Sequence, residues 1–137
     1  MLNTTILETC LDTLTQAYKG IQHLEADSTA YRIYRSAIVK EFELLLEQSG
    51  KLLRKRLRPF VGNVAMVESL SFKDVFRKAG QHQLLSIEAI ERWFSYRDSR
   101  NDTAHDYGET LALKTIEVLP TFIEDVNALI HILKSED

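Results

Sequence analysis

A single cysteine, Cys10, stands among 137 residues, which excludes a disulfide within the chain and suits a reducing compartment. Proline is scarce, with only Pro59 and Pro120, and there are five glycines. Few obligatory turns disfavour many short strands and favour long helices. No window approaches 18 uninterrupted apolar residues, so no membrane span is expected. The start, Met1-Leu2-Asn3-Thr4-Thr5, lacks the basic residues and apolar stretch of a signal peptide. A strong excess of one charge is also missing. Seventeen Lys and Arg stand against 20 Asp and Glu, a net charge of −3, so any basic surface for a partner must be local. These absences point to a cytoplasmic protein of one domain, residues 1–137, without a membrane partner.

What is present is helical periodicity. Leu7, Leu11, Leu14, Tyr18 and Ile21 recur at helical spacing after Thr5-Ile6-Leu7-Glu8, a capping-box pattern. Asp27 or Ser28 then caps a longer helix bearing Tyr34, Ile38, Phe42, Leu45, Leu46, Leu52 and Leu53, which should stop before Pro59. Residues 61–70 fit either more helix or a buried connection. Ser71-Phe72-Lys73-Asp74 opens a short helix through Val75, Phe76 and Ala79, with Gly80 as its expected end. Ser86 caps a helix carrying Ile87, Ile90, Trp93 and Phe94. A last helix, about Glu109 to Lys134, contains Pro120, which should kink or divide it. The expected fold is all-α: an antiparallel four-helix up-and-down bundle with an extra short helix.

One stretch breaks the amphipathic pattern. From Ser95 to Asp106 nearly every position is polar, and the run Arg100-Asn101-Asp102-Thr103-Ala104-His105-Asp106-Tyr107 holds residues suited to phosphate and protons. A guanidinium grips phosphate bidentately and stays charged, while an imidazole exchanges a proton near neutral pH. Together they make a minimal metal-free apparatus for cleaving RNA, with Asn101 as orienting support. At roughly 100° per residue, Arg97, Asn101 and His105 drift slowly around one face, whereas Arg100 and His105 lie roughly 140° apart. They converge only if the arginine curls back, the helix ends first, or two chains meet. The competing reading is a solvated helix end with weak surface ion pairs from Asp98 and Asp102. A metal reading through Asp98, Asp102 and His105 lacks a matched ligand set, so neither metal nor cofactor is expected.

Elsewhere, Lys51, Arg54, Lys55, Arg56 and Arg58 place five cations within eight residues. They read as a phosphate-tracking strip for RNA or, more simply, as cations at a helix C-terminus, where the macrodipole favours them. Arg97, Arg54, Lys55 and Arg58 are the candidate RNA or phosphate contacts. Trp93, Phe94 and Tyr96 fit base stacking less well than core or interface packing.

Arg100, four residues, His105, then Tyr107 with Asn101 after the arginine, resembles the Arg-x4-His-x-Tyr signature of the HEPN superfamily of helical bundles. Two further stretches are similar to its branch of nucleotidyltransferase substrate-binding, or HepT-like, proteins: residues 42–54, and Ser71-Phe72-Lys73-Asp74-Val75-Phe76-Arg77-Lys78-Ala79, where Phe72 replaces the usual proline. The resemblance covers roughly residues 35–135. It implies a minimal nucleotidyltransferase as partner and a homodimer with signatures facing a shared cleft. It also implies one of two roles. In the first, the protein is the endoribonuclease toxin of a type VII-like pair, with Arg100, His105 and Asn101 catalytic and Tyr107 adenylylated by the partner. In the second, it is the non-catalytic substrate-binding subunit of a two-chain nucleotidyltransferase, and binds an RNA or nucleotide substrate.

Overall fold

The computed structural model describes residues 2–102 and 109–135, the side chains of 100–102 and 109–111 excepted. Four long helices carry the architecture: α1 (Thr5–Ile21), α2 (Thr29–Arg56), α6 (Ile87–Asp102) and α7 (Glu109–Lys134). Three short ones, α3 (Arg58–Val61), α4 (Val64–Glu68) and α5 (Phe72–Gln81), connect α2 to α6. No strand occurs among the described residues.

Contacts at the helix ends fix the directions. Lys134 near the end of α7 pairs with Glu8 near the start of α1 at 2.9 Å. Arg56, closing α2, donates to the Ile132 carbonyl near the end of α7. Gly20 near the end of α1 abuts Tyr34 near the start of α2. Arg92 in α6 meets Asp125 across the α6–α7 hairpin. The four long helices therefore run up, down, up and down, the up-and-down order expected.

The apolar stripes form one core. Leu7, Leu11, Leu14 and Ile21 of α1 meet Ile38, Phe42, Leu45, Leu46 and Leu53 of α2 and Leu119, Phe122, Val126 and Leu133 of α7. Through its centre runs an aromatic chain: Phe72–Phe76, Phe76–Trp93 and Trp93–Phe122 centroids lie 4.7, 5.0 and 5.7 Å apart. Trp93 is fully buried, so it is a core residue and not a base-stacking platform.

Several local expectations shift. Thr5 does not cap α1; it is already helical, its amide donates to Asn3, and the Thr4 hydroxyl bonds Glu8. Ser28, Ser71 and Ser86 each accept an amide from the third residue onward, as N-caps do. Residues 61–70 resolve into the end of α3 and all of α4, with Asn63 capping the latter. Pro59 sits in the first turn of α3, where its missing N–H costs nothing. Pro120 does not divide α7, which continues from Glu109 to Lys134. Gly80 does not end α5; the helix runs on to Gln81, and the left-handed residue beyond is Gln83 at φ 61°. A Cβ on Gly80 would lie 2.5 Å from Ile90 Cδ1, so this glycine lets α6 pack closely on α5.

Candidate functional site

The α6–α7 hairpin brackets the signature. Arg100 and Asn101 belong to α6, which is described as far as Asp102, and α7 is described from Glu109. The side chains of Arg100 and Asn101, and His105 and Tyr107 altogether, lie outside the described residues, so their mutual geometry does too. What the structure describes is the platform that leads to them.

Its anchor is a charged cluster between α6 and α7. Both Arg92 nitrogens Nε and Nη2 donate to Asp125, at 2.9 and 2.8 Å, in a bidentate fork. The Tyr96 hydroxyl donates to the same carboxylate at 2.5 Å. Asp125 is only 7% exposed, and three charge-assisted bonds offset its desolvation. Burial first, and then the bond to Asp125, push the Tyr96 phenol well above the ordinary tyrosine range, so it stays a proton donor. Hydrogen bonding to Asp125 likewise holds Arg92 firmly charged. Tyr96 also packs edge-on against Trp93 and Phe122. This cluster fixes α6 shortly before the signature begins. Nothing in the periodicity singles it out, although a carboxylate at position 125, inside the stripe Phe122, Val126, Leu129, is the available signal.

Beside the anchor, a groove of about 540 Å³ opens between α2, α5 and α6. α2 supplies Lys40, Glu43, Leu44, Glu47, Lys51 and Arg54; Phe72 and Arg97 complete it from α5 and α6. Gly50 of α2 is buried in its floor, where a Cβ would stand 2.9 Å from the Phe72 ring, so glycine lets that ring seat against the helix. The Arg97 guanidinium lies 5.3 Å from the Phe72 centroid in a cation–π contact. Arg54 donates to the Leu70 carbonyl at 2.7 Å, while its Nε is buried without a hydrogen-bond partner. Ser71 caps α5 with Phe72 in the proline position, so that departure bears on this groove rather than on the cap.

The basic strip does not act as one surface. Arg54 and Lys51 reach the groove, and Arg97 joins them from α6. Lys55 is exposed outside it, and Arg58 pairs with Glu68 at 2.9 Å. Arg56 is buried; it bonds the Ile132 carbonyl and the Ser135 hydroxyl and lies over Phe60. It thus adds a donor to a carbonyl near the end of α7 that Ser135 also bonds, a neighbouring helix's terminus rather than its own. Phe94 is covered from α5 by Lys73 and Arg77, at 5.3 and 5.1 Å, and Lys73 also pairs with Asp98 at 2.8 Å. No group of three metal-ligating side chains occurs among the described residues, nor does any helix long and apolar enough to cross a membrane.

A long bundle with a polar helix end at the α6–α7 hairpin defines the class. Residues 3–135 match the family described as nucleotidyltransferase substrate binding protein like, and the chain belongs to that family. The probable ribonuclease HepT of Haemophilus influenzae is 27% identical over 99 residues, 72% of this chain. The match spans 66% of that protein, just under two thirds of its length. Among solved structures, the substrate binding domain of a nucleotidyltransferase from Haemophilus influenzae superposes with TM-score 0.81 at 22% identity, over 97% of this chain and 100% of that one. A Thermus thermophilus protein gives 0.73 at 28% identity, covering 94% and 99%. A tri-AMPylated HEPN toxin of Shewanella oneidensis, in complex with its MNT antitoxin, gives 0.66 at 19%, covering 98% and 100%.

Proposed function

We propose that this protein is a metal-independent endoribonuclease, the toxin component of a HEPN/MNT pair acting in the cytoplasm. The observation that carries the reading is the complete signature, Arg100, Asn101, His105 and Tyr107, in a chain of this family. His105 would take the proton of a ribose 2′-hydroxyl as it attacks the adjacent phosphate; the P–O5′ bond then breaks, leaving a 2′,3′-cyclic phosphate and a 5′-oxygen that leaves as a hydroxyl on gaining a proton. Arg100 would stabilise charge on the phosphoryl oxygens, and Asn101 would orient the two. Support also comes from the relatives, one a probable ribonuclease and one a toxin in complex with its antitoxin. Arg100 and His105 face apart on an ideal helix. A helix end between the two would free them to converge, as would the cleft of a homodimer.

The purified protein should cut cellular RNA in the presence of a chelator. Cleavage that requires added divalent metal, or none at all, overturns the proposal. Its control would be covalent. A minimal nucleotidyltransferase partner with ATP should add adenylate mass to the wild type and none to Tyr107→Phe. Equal labelling of both proteins would remove Tyr107 as the acceptor. The second reading, a non-catalytic substrate-binding subunit of a two-chain nucleotidyltransferase, is favoured by the family match itself.

A further inference from the structure

The groove between α2, α5 and α6 holds cations that no acid of the fold neutralises among the described residues. Lys40, Lys51 and Arg97 enter no ion pair among the described residues, and Arg54 keeps a buried Nε without a partner. On α2 the groove residues recur at spacings of three and four, so Lys40 to Arg54 form a stripe about 21 Å long on one face. Cations stand at both ends of this stripe, and Glu43 and Glu47 lie between them. The Phe72 ring, with the Arg97 guanidinium over it, offers a flat surface beside the stripe.

That order discriminates among ligands. A bare polyphosphate would meet two carboxylates midway. A short run of ribonucleotides matches the set: phosphates at the cationic ends, a hydroxyl or amino donor to Glu47, and a base against the Phe72–Arg97 pair. The volume, about 540 Å³, is that of a small-ligand site. Arg97 lies three residues, less than one helical turn, before Arg100 on α6, so one wall of the groove leads along α6 to the start of the signature. We infer that this groove binds ribonucleotide units and leads an RNA strand to the end of α6. Its second half rests on the ribonuclease reading; its first half does not.

The test is fluorescence anisotropy with a labelled single-stranded RNA octamer and, separately, labelled AMP, using His105→Ala as background so that RNA stays intact. Lys51→Ala with Arg97→Ala should weaken octamer binding at least about fivefold and lower the salt slope by about 1.4, two phosphate contacts' worth. Phe72→Leu, which keeps apolar volume but removes the ring, should weaken binding about fivefold or more through lost stacking. Lys19→Ala with Arg32→Ala removes the same charge outside the groove and should change binding less than about twofold. Octamer binding alone identifies a strand as the ligand; AMP binding with the same sensitivities identifies a mononucleotide. Equal losses in groove and control variants, or binding of neither probe, overturn the inference. If the wild type does not cut RNA while groove variants lose binding, the nuclease reading falls and the groove stands. If the wild type cuts RNA while groove variants bind normally, the groove falls and the nuclease reading stands.

Discussion

Arg92→Ala is expected to destabilise the protein by about 3 kcal/mol, the low end of the cost of breaking a buried pair from one side. The partner left behind sets that cost. Asp125 is 7% exposed and is left among Phe122, Val126 and the aromatic chain with only Tyr96 still donating to it. The Arg92 side chain is 42% exposed, so water entering where it stood recovers part of the loss, which is why the low end applies. Asp125→Asn should cost less, because it leaves no buried charge and its amide oxygen still accepts from Tyr96. Replacing both Arg92 and Asp125 by leucine should restore much of the Arg92→Ala loss. Urea midpoints at constant slope measure all three. A loss below about 1 kcal/mol for Arg92→Ala would show that the cluster does not hold α6 to α7.

Much of the bundle was legible because periodicity alone decides which residues face the core. Leu7, Leu14, Phe42, Leu53, Phe122 and Val126 are buried where a helical stripe puts them. Local chemistry was less decisive where a neighbour overrode it. Gly80 looked like a helix stop, but the approach of Ile90 explains it, and the chain turns at Gln83 instead. Ile87 fits the stripe by spacing yet is 73% exposed at the first position of α6, where no helix covers it.

The site divides in the same way. The signature is a sequence pattern and was read as one. The groove is not, because it joins Lys40 and Lys51 of α2 to Phe72 and Arg97 of two other helices, more than 20 residues away in the chain. The five cations at 51–58 looked like one strip, but helical twist turns Arg56 into the body of the protein and leaves Arg58 to Glu68. Asp125 escaped notice because an acid within an apolar stripe shows its purpose only once Arg92 and Tyr96 stand opposite it.

His105→Ala is expected to slow RNA cleavage about 100- to 10,000-fold, the contribution of a positioned proton-transfer group. Arg100→Ala should lose about 100- to 1,000-fold, as when one stabiliser of transition-state charge is removed. Neither change should move the unfolding midpoint as Arg92→Ala does, since both residues follow the Arg92–Tyr96–Asp125 anchor in the chain and take no part in it. The most direct measurement is cleavage of one labelled RNA by wild type, Arg100→Ala and His105→Ala at equal folded concentration. The wild type should cut it, and both variants should cut at least about 100-fold more slowly. Equal cleavage by all three proteins, or none by the wild type, would contradict the ribonuclease assignment.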